Sequence, residues 1–325
     1  MKVLTVKGNI EMSKLLNEFE QKNKQLIAEY GPWTAHDIYL GENVYTRDKR
    51  NKPFPYRLKK IIQASLDLTN KEPHDIRVLD LGCLEGGISI EFARQGSNVV
   101  GIEGRPSNIK KAELVKELLD LGTLELVVDD VLNITPEKYG TFDVILCLGL
   151  LYHIDASDLM GFVRKMFDMS KRVVMIDTQV ADCKSATESI SVNGKEYFGK
   201  SMREHGLVTT KEEKHERSWT SLNNDYSFWL TRPSLINLLA DAGFTSVYEI
   251  QHPFFVSYNN RLILAAIKGV NHTIHYPDEV NTSVEAARQP EKVNVSEGVW
   301  ARKGFDVINS IKRVYRYLVK KLAGH

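Results

Sequence analysis

The run Val78-Leu79-Asp80-Leu81-Gly82-Cys83-Leu84-Glu85-Gly86-Gly87 carries a buried-type strand into a glycine-bearing turn and then into the helical text ISIEFARQG. Glycine at such a turn lets the backbone approach a ligand, and the unpaired N–H groups of the following helix attract a carboxylate. Some twenty residues on, Glu103 closes the second strand, where a carboxylate can accept hydrogen bonds from both hydroxyls of a ribose. Together they predict a site for an adenosine-containing cofactor. The central glycine of a dinucleotide fingerprint GxGxxG starting at Gly82 would fall on Leu84, so that fingerprint is not met.

Proton chemistry rests on a few histidines. His153 follows the apolar run FDVILCL in the text GLLYH, which places it at the carboxyl edge of a sheet, where open α/β proteins bind ligands. A neutral imidazole can take the proton of a hydroxyl near pH 7, so His153 is the first candidate for a general base and His36 the second. Glu204-His205 and His215 rank behind them, in a long stretch whose Trp219 and Trp229 could wall an acceptor pocket. Trp33, Tyr39 and Tyr45 form another aromatic group near the N-terminus. Cys83, Cys147 and Cys183 are far apart and show no CxxC or Cys/His ligand spacing, so free thiols and no metal site are expected.

These residues need a scaffold that gathers strand ends. Between residues 58 and 269 the runs IRVLDLG, SNVVGIEG, LELVVDD, FDVILCLGLL, RVVMIDTQV, TSVYEI and RLILAAIKG are seven strand candidates, the first four separated by helical patterns such as SNIKKAELVKELLDLG. This alternation predicts the α/β class, a doubly wound, mostly parallel Rossmann-like sheet of seven strands with helices on both faces. Residues 1–57 read as an amphipathic helix, with Met12, Leu15, Leu16, Phe19, Leu26 and Ile27 on one face, followed by an arm. Residues 181–232 read as an inserted cap, because a connection that long with so many aromatics is more than a loop. Residues 270–298 are polar and aperiodic and read as a linker, and 299–325 as a C-terminal helix.

The chain of 325 residues has 42% hydrophobic and 26% charged residues, ordinary for a globular protein, and a net charge of +1. Such a balance gives no chain-wide field toward nucleic acid. The longest apolar run, Val144 to Leu151, is too short to span a bilayer. The opening MKVLTVKGNIEM lacks the pattern of a signal peptide, so a cytoplasmic location is expected. In the terminal helix Phe305, Ile308, Ile311, Tyr315, Leu318 and Leu322 share a face, with seven basic residues against Asp306 elsewhere. Such a helix suits docking on its own domain or a partner, or peripheral contact with an anionic membrane. The oligomeric state is left open.

The ordered pieces VLDLGCLEGG, VVGIEG, VVDDVLN, FDVILCLGLLYHI and SLINLLADAGF resemble the successive motifs of the class I S-adenosylmethionine-dependent methyltransferase family, over roughly Leu58 to Gly269. The resemblance implies S-adenosyl-L-methionine as cofactor. Asp80, Gly82, Cys83 and Gly86 would hold its methionine part and Glu103 its ribose. Asp130 and Val131 would take the adenine edge, and Leu148 and Gly149 would floor the pocket beside the sulfonium. Leu84 departs from the family pattern, which has glycine there. The segment Gly31 to Thr46 is similar to a W-x-x-H-x-I-x-L-x-x-G-x-x-T stretch in bacterial methyltransferases, including relatives of the tRNA uridine carboxymethyltransferases, with Asn43 in place of the usual glycine. By that likeness Trp33, His36, Tyr39 and Tyr45 would fold over the cofactor mouth.

The leading expectation is an enzyme that methylates an oxygen, or in second place a nitrogen, of a small-molecule or glycan acceptor, with His205, Trp219 and Trp229 among the acceptor contacts. A tRNA-modifying methyl- or carboxymethyltransferase is the alternative raised by the W-x-x-H segment. A catalytically inactive cofactor-binding or regulatory protein is the third, with Leu84 as its best sign.

Overall fold

The computed structural model describes residues 6–47, 53–206, 208–250 and 260–275, with side chains from Leu15 onward in the first segment and from Pro55 in the second. Most of the expected linker and the basic C-terminal helix lie outside the described residues.

The chain runs α1 (Val6–Tyr30), β1 (Tyr39–Gly41), β2 (Val44–Tyr45), α2 (Pro53–Thr69), β3 (Arg77–Leu81), α3 (Gly87–Arg94), β4 (Asn98–Glu103), α4 (Pro106–Leu118), β5 (Leu124–Val128), α5 (Pro136–Tyr139), β6 (Phe142–Leu148), α6 (Leu159–Met169) and β7 (Ser170–Gln179). It continues through β8 (Glu188–Val192), β9 (Lys195–Arg203), α7 (Lys211–Glu216), β10 (Tyr226–Leu230), α8 (Arg232–Ala242), β11 (Ser246–Glu249) and β12 (Arg261–Ile267).

All seven expected strands form one sheet in the order β11-β12-β7-β6-β3-β4-β5. The five strands β3 to β7 are parallel, while β12 runs antiparallel to β7 and β11 antiparallel to β12. Strands this apolar on both faces demand cover on both. Along β6, Val144 and Leu146 join a core layer with Phe19, Trp33, Ile61 and Phe92. Ile145 and Cys147 join the opposite layer with Phe162, Met166 and Leu238. The chain builds outward from β3 through β4 to β5, then returns to β6 on the other side, so strand order reverses between β3 and β6. That reversal opens a crevice at the carboxyl ends of the strands.

The expected cap folds as a three-stranded antiparallel sheet in the order β10-β9-β8, with α7 in the β9–β10 connection. Its inner side chains Tyr197, Phe228 and Leu230 belong to the main core, and the Tyr197 hydroxyl donates to Asp241 Oδ2 on α8 at 2.6 Å. Near the N-terminus, β1 and β2 form a hairpin whose turn residues Glu42 and Asn43 have φ of +47° and +62°. Asparagine adopts this left-handed conformation more readily than most residues, so Asn43 does what the usual glycine would do there.

Candidate active site

A cavity of 410 Å³ lies at the strand-order reversal, between the ends of β3, β4 and β6, the N-terminal arm and the cap. The turn after β3 sets one wall. Leu84 has a φ of +50°, a left-handed conformation that costs a residue with a Cβ roughly 1–2 kcal/mol. Its amide donates to Glu103 Oε2 at 3.2 Å.

Glu103 ends β4 and lines the cavity, yet is only 3% exposed. Its Oε1 accepts from the Arg105 amide at 3.0 Å and from Asn108 Nδ2 at 3.2 Å. Burial raises this carboxyl above its ordinary value, with those hydrogen bonds pulling the other way. Beyond β5, Asp130 Oδ1 caps the Leu132 amide at 2.9 Å, while Oδ2 accepts from Asn223 of the cap at 2.8 Å. Neighbouring Asp129 is raised by burial but held down at about 2 by Lys138, Tyr139 and Asn133.

Arg105 fastens the cap to this wall. Its guanidinium donates to the carbonyls of His215 at 3.0 Å, Lys214 at 3.2 Å, Thr220 at 3.0 Å and Ser221 at 3.4 Å. Every partner in the cap is a main-chain oxygen.

His153 stands on the far wall, just beyond β6. Its Nδ1 lies 2.9 Å from both oxygens of Glu204, and Glu204 Oε2 also accepts the Ser221 amide at 2.9 Å. Asn224 Nδ2 donates to the His153 carbonyl at 3.2 Å, fixing the backbone beneath the ring. Burial pushes Glu204 up, but its hydrogen bond and charge interaction with His153 bring it below the usual carboxylate range. An ionised carboxylate at Nδ1 fixes the tautomer that carries its proton there, leaving Nε2 as the basic nitrogen.

His36 also lines the cavity, but its geometry is that of a donor and not of a second base. Its Nδ1 accepts the Gly87 amide at 3.1 Å. Burial first, then Arg57 and Arg47, lower its pKa to about 3. The lone pair a base would use is occupied, and the ring is neutral with its proton on Nε2.

Gly82, Glu103, Asp130, Val131, Leu148 and Gly149 all line the cavity, as expected from the sequence. Asp80, Cys83 and Gly86 do not. Asp80 shares the strand parity of Val78, so it points to the helix layer, where Ser89 Oγ donates to its Oδ2 at 2.6 Å. Cys83 is buried behind the turn, and Gly86 backs onto Ala112. Among the aromatics Trp219 sits at the cavity rim, while Trp229 is set edge-on behind Tyr152 at 5.8 Å. Trp33 is a buried anchor whose Nε1 donates to Asn23 at 2.7 Å. Tyr39 and Tyr45 pack on each other across the hairpin, with ring centroids 5.2 Å apart and planes tilted by 54°, and neither lines the cavity. His205 is buried and donates from Nε2 to the Ser221 carbonyl at 2.8 Å, so it is a structural member of the cap.

Several site residues had no local signal in the sequence. Glu85 lies in the glycine turn and accepts the amides of Thr34 at 2.6 Å and Ala35 at 2.8 Å, binding the arm to the sheet. Arg57, Tyr152 and Arg261 line the cavity beside His153, with the buried Asp177 between the two arginines. Among the described residues there is no group of three or more His, Cys, Asp or Glu placed to hold a metal, and no helix long and apolar enough to cross a membrane.

The sheet, the turn and the cavity can now be set beside known proteins. A family model described as a methyltransferase domain matches residues 50–249. The chain belongs to the methyltransferase-domain family. Ubiquinone biosynthesis O-methyltransferase of Xanthomonas axonopodis pv. citri is 29% identical over 130 residues, which cover 40% of this chain and 53% of that protein. The enzyme of the same name from Xanthomonas oryzae pv. oryzae is 29% identical over 165 residues, 50% of this chain and 65% of that one. The chain therefore spans between about half and just under two thirds of the length of these curated relatives. Among solved structures, the N-terminal domain of EvdMO1 with SAH bound shares the fold, with a TM-score of 0.59 at 24% identity, covering 77% of this chain and 96% of that one.

Proposed function

We propose that this domain is an S-adenosylmethionine-dependent O-methyltransferase acting on a small molecule. The carrying observation is the juxtaposition, across one cavity, of a buried ribose-type carboxylate, Glu103, and an oriented imidazole, His153 on Glu204. The residues present fit the cofactor. Glu103 would accept ribose hydroxyls, Asp130 and Val131 would border the adenine edge, and Gly82 and Leu84 would border the amino-acid end. The left-handed Leu84 keeps the turn open for that purpose, which weighs against loss of cofactor binding.

When bound, the cofactor supplies an electrophilic methyl carbon for in-line displacement, in which positioning provides much of the acceleration. Nε2 of His153 accepts the proton of the acceptor hydroxyl, and Glu204 stabilises the imidazolium that results. Arg105 and Asn223 hold the cap over the cavity, which limits water around the reacting oxygen. Relatives named as O-methyltransferases support oxygen as the acceptor atom.

The test is calorimetric titration of the full chain with S-adenosylhomocysteine, followed by turnover assays against a panel of hydroxylated small molecules. Saturable binding and methyl ethers as products are expected. Failure to bind S-adenosylhomocysteine would overturn the reading.

A further inference from the structure

Beside His153 the cavity carries a cluster that methyl transfer itself does not require. Arg57 comes from α2, Arg261 from the first residue of β12 and Asp177 from β7. Asp177 Oδ1 accepts from Arg261 Nε at 2.6 Å, and Oδ2 is paired with Arg57. Two guanidiniums thus share one carboxylate. Neither can release its proton, so the three side chains together carry one net positive charge.

The excess faces the cavity. The Asp177 side chain is 2% exposed, whereas those of Arg57 and Arg261 are each 31% exposed and both line the cavity. Among the described residues no other carboxylate that lines the cavity is placed to neutralise them. Glu103 is taken by Leu84, Arg105 and Asn108, Asp130 by Leu132 and Asn223, and Asp129 by Lys138, Tyr139 and Asn133. The cavity therefore has an acidic end suited to hydroxyls and a basic end suited to an anion. Arg261 spends its Nε on Asp177 and also hydrogen-bonds the Tyr152 hydroxyl, and with five N–H groups in a guanidinium donors still remain for an anion.

We propose that Arg57 and Arg261 bind an anionic group of the acceptor, a carboxylate or a phosphate, and so make hydroxylated acids the substrate class. The inference rests on the methyltransferase reading and deepens it. Tyr152 fixes the spacing. Its ring centroid is 4.2 Å from that of His153 and 5.8 Å from the Arg261 guanidinium carbon, so the anion site and the base flank one tyrosine ring. An acceptor whose acidic group and hydroxyl are separated by about one ring satisfies both. The buried Asp177 holds the guanidiniums in place before the ligand arrives, which lowers the entropic cost of binding.

The experiment compares benzoate, inorganic phosphate and the neutral isostere benzamide by calorimetry and ligand-observed NMR on the full chain loaded with S-adenosylhomocysteine. Benzoate is expected to bind at least tenfold more tightly than benzamide. Arg261→Gln is expected to abolish that preference with S-adenosylhomocysteine affinity unchanged, and Arg261→Lys, which retains the charge and guards against misfolding, to reduce it several-fold. Equal binding of benzoate and benzamide, binding of neither, or a preference that survives in Arg261→Gln would overturn the proposal. The cofactor's own carboxylate is the other source of such an anion. In that case Arg57→Gln and Arg261→Gln would weaken S-adenosylhomocysteine at least tenfold but leave 5′-methylthioadenosine unaffected, and the acceptor assignment would fall. If the wild-type chain bound no S-adenosylhomocysteine, the methyltransferase reading would fail, while benzoate preference in the unloaded chain would still decide the anion site.

Discussion

Nδ1 of His36 accepts the backbone amide of Gly87, so the arm that precedes the sheet is keyed into the first turn of α3. A Cβ on Gly87 would lie 2.5 Å from His36 Cβ and Cγ, a contact that forces one of the two segments to move. Gly87→Ala is expected to cost about 1–3 kcal/mol of stability, the usual range for overpacking. The same substitution in a His36→Ala background should cost much less. Urea unfolding of the four proteins gives the coupling directly, and an equal cost in both backgrounds would show that the arm does not rest on the turn.

Glu204→Gln keeps the size of the side chain but removes the charge at His153 Nδ1. Turnover is expected to fall by roughly 10²-fold with little change in S-adenosylhomocysteine affinity, and His153→Ala by about as much or more. A variant with near-normal turnover on the true acceptor would remove His153 and Glu204 from the mechanism. Because Glu204 is held below its ordinary value of 4.5, its pairing stabilises the fold above that pH and is lost as pH falls through the depressed value. The stability difference between wild type and Glu204→Gln should therefore shrink on acidification.

Glu103→Ala removes the carboxylate that faces the cavity from β4. Loss of about 1.5–3 kcal/mol of S-adenosylhomocysteine binding is expected, the range for hydrogen bonds to a charged group. Unchanged affinity by calorimetry would place the cofactor elsewhere.

Asp80 offers a pH test independent of any ligand. Burial, partly offset by the Ser89 hydrogen bond, raises its pKa from 3.8 to about 7. Between those values the folded chain carries a proton that the unfolded chain has released, so this group's contribution to stability declines as pH rises through that window. Asparagine imitates the protonated acid at every pH. The Tm advantage of Asp80→Asn over wild type should widen from pH 5 to pH 8, and a constant difference would show that Asp80 ionises at its ordinary value.

The sheet was legible because seven short apolar runs each had a single way to bury both faces, and all seven became its strands. The site was legible where a strand end fixes it, as at Glu103, Asp130, Gly149 and His153. It was misread where strand parity decides. Asp80 lies one residue from Leu81 in sequence but points to the opposite layer. Glu204 acts on His153 only because β9 pairs with β10 and brings residue 204 beside Asp225, whose carbonyl accepts its amide at 2.9 Å. Arg57, Asp177 and Arg261 meet across elements 84 to 204 residues apart, a distance that no local pattern encodes.

Arg105 grips the cap through four carbonyl oxygens and through none of its side chains. Main-chain oxygens are the same whatever residues bear them, so the grip places no demand on amino-acid identity at positions 214, 215, 220 and 221. Those four positions can change their side chains while this attachment persists. A fold built this way can alter the surface that Thr220 and Ser221 present to the cavity without re-evolving the wall on which the cap is mounted.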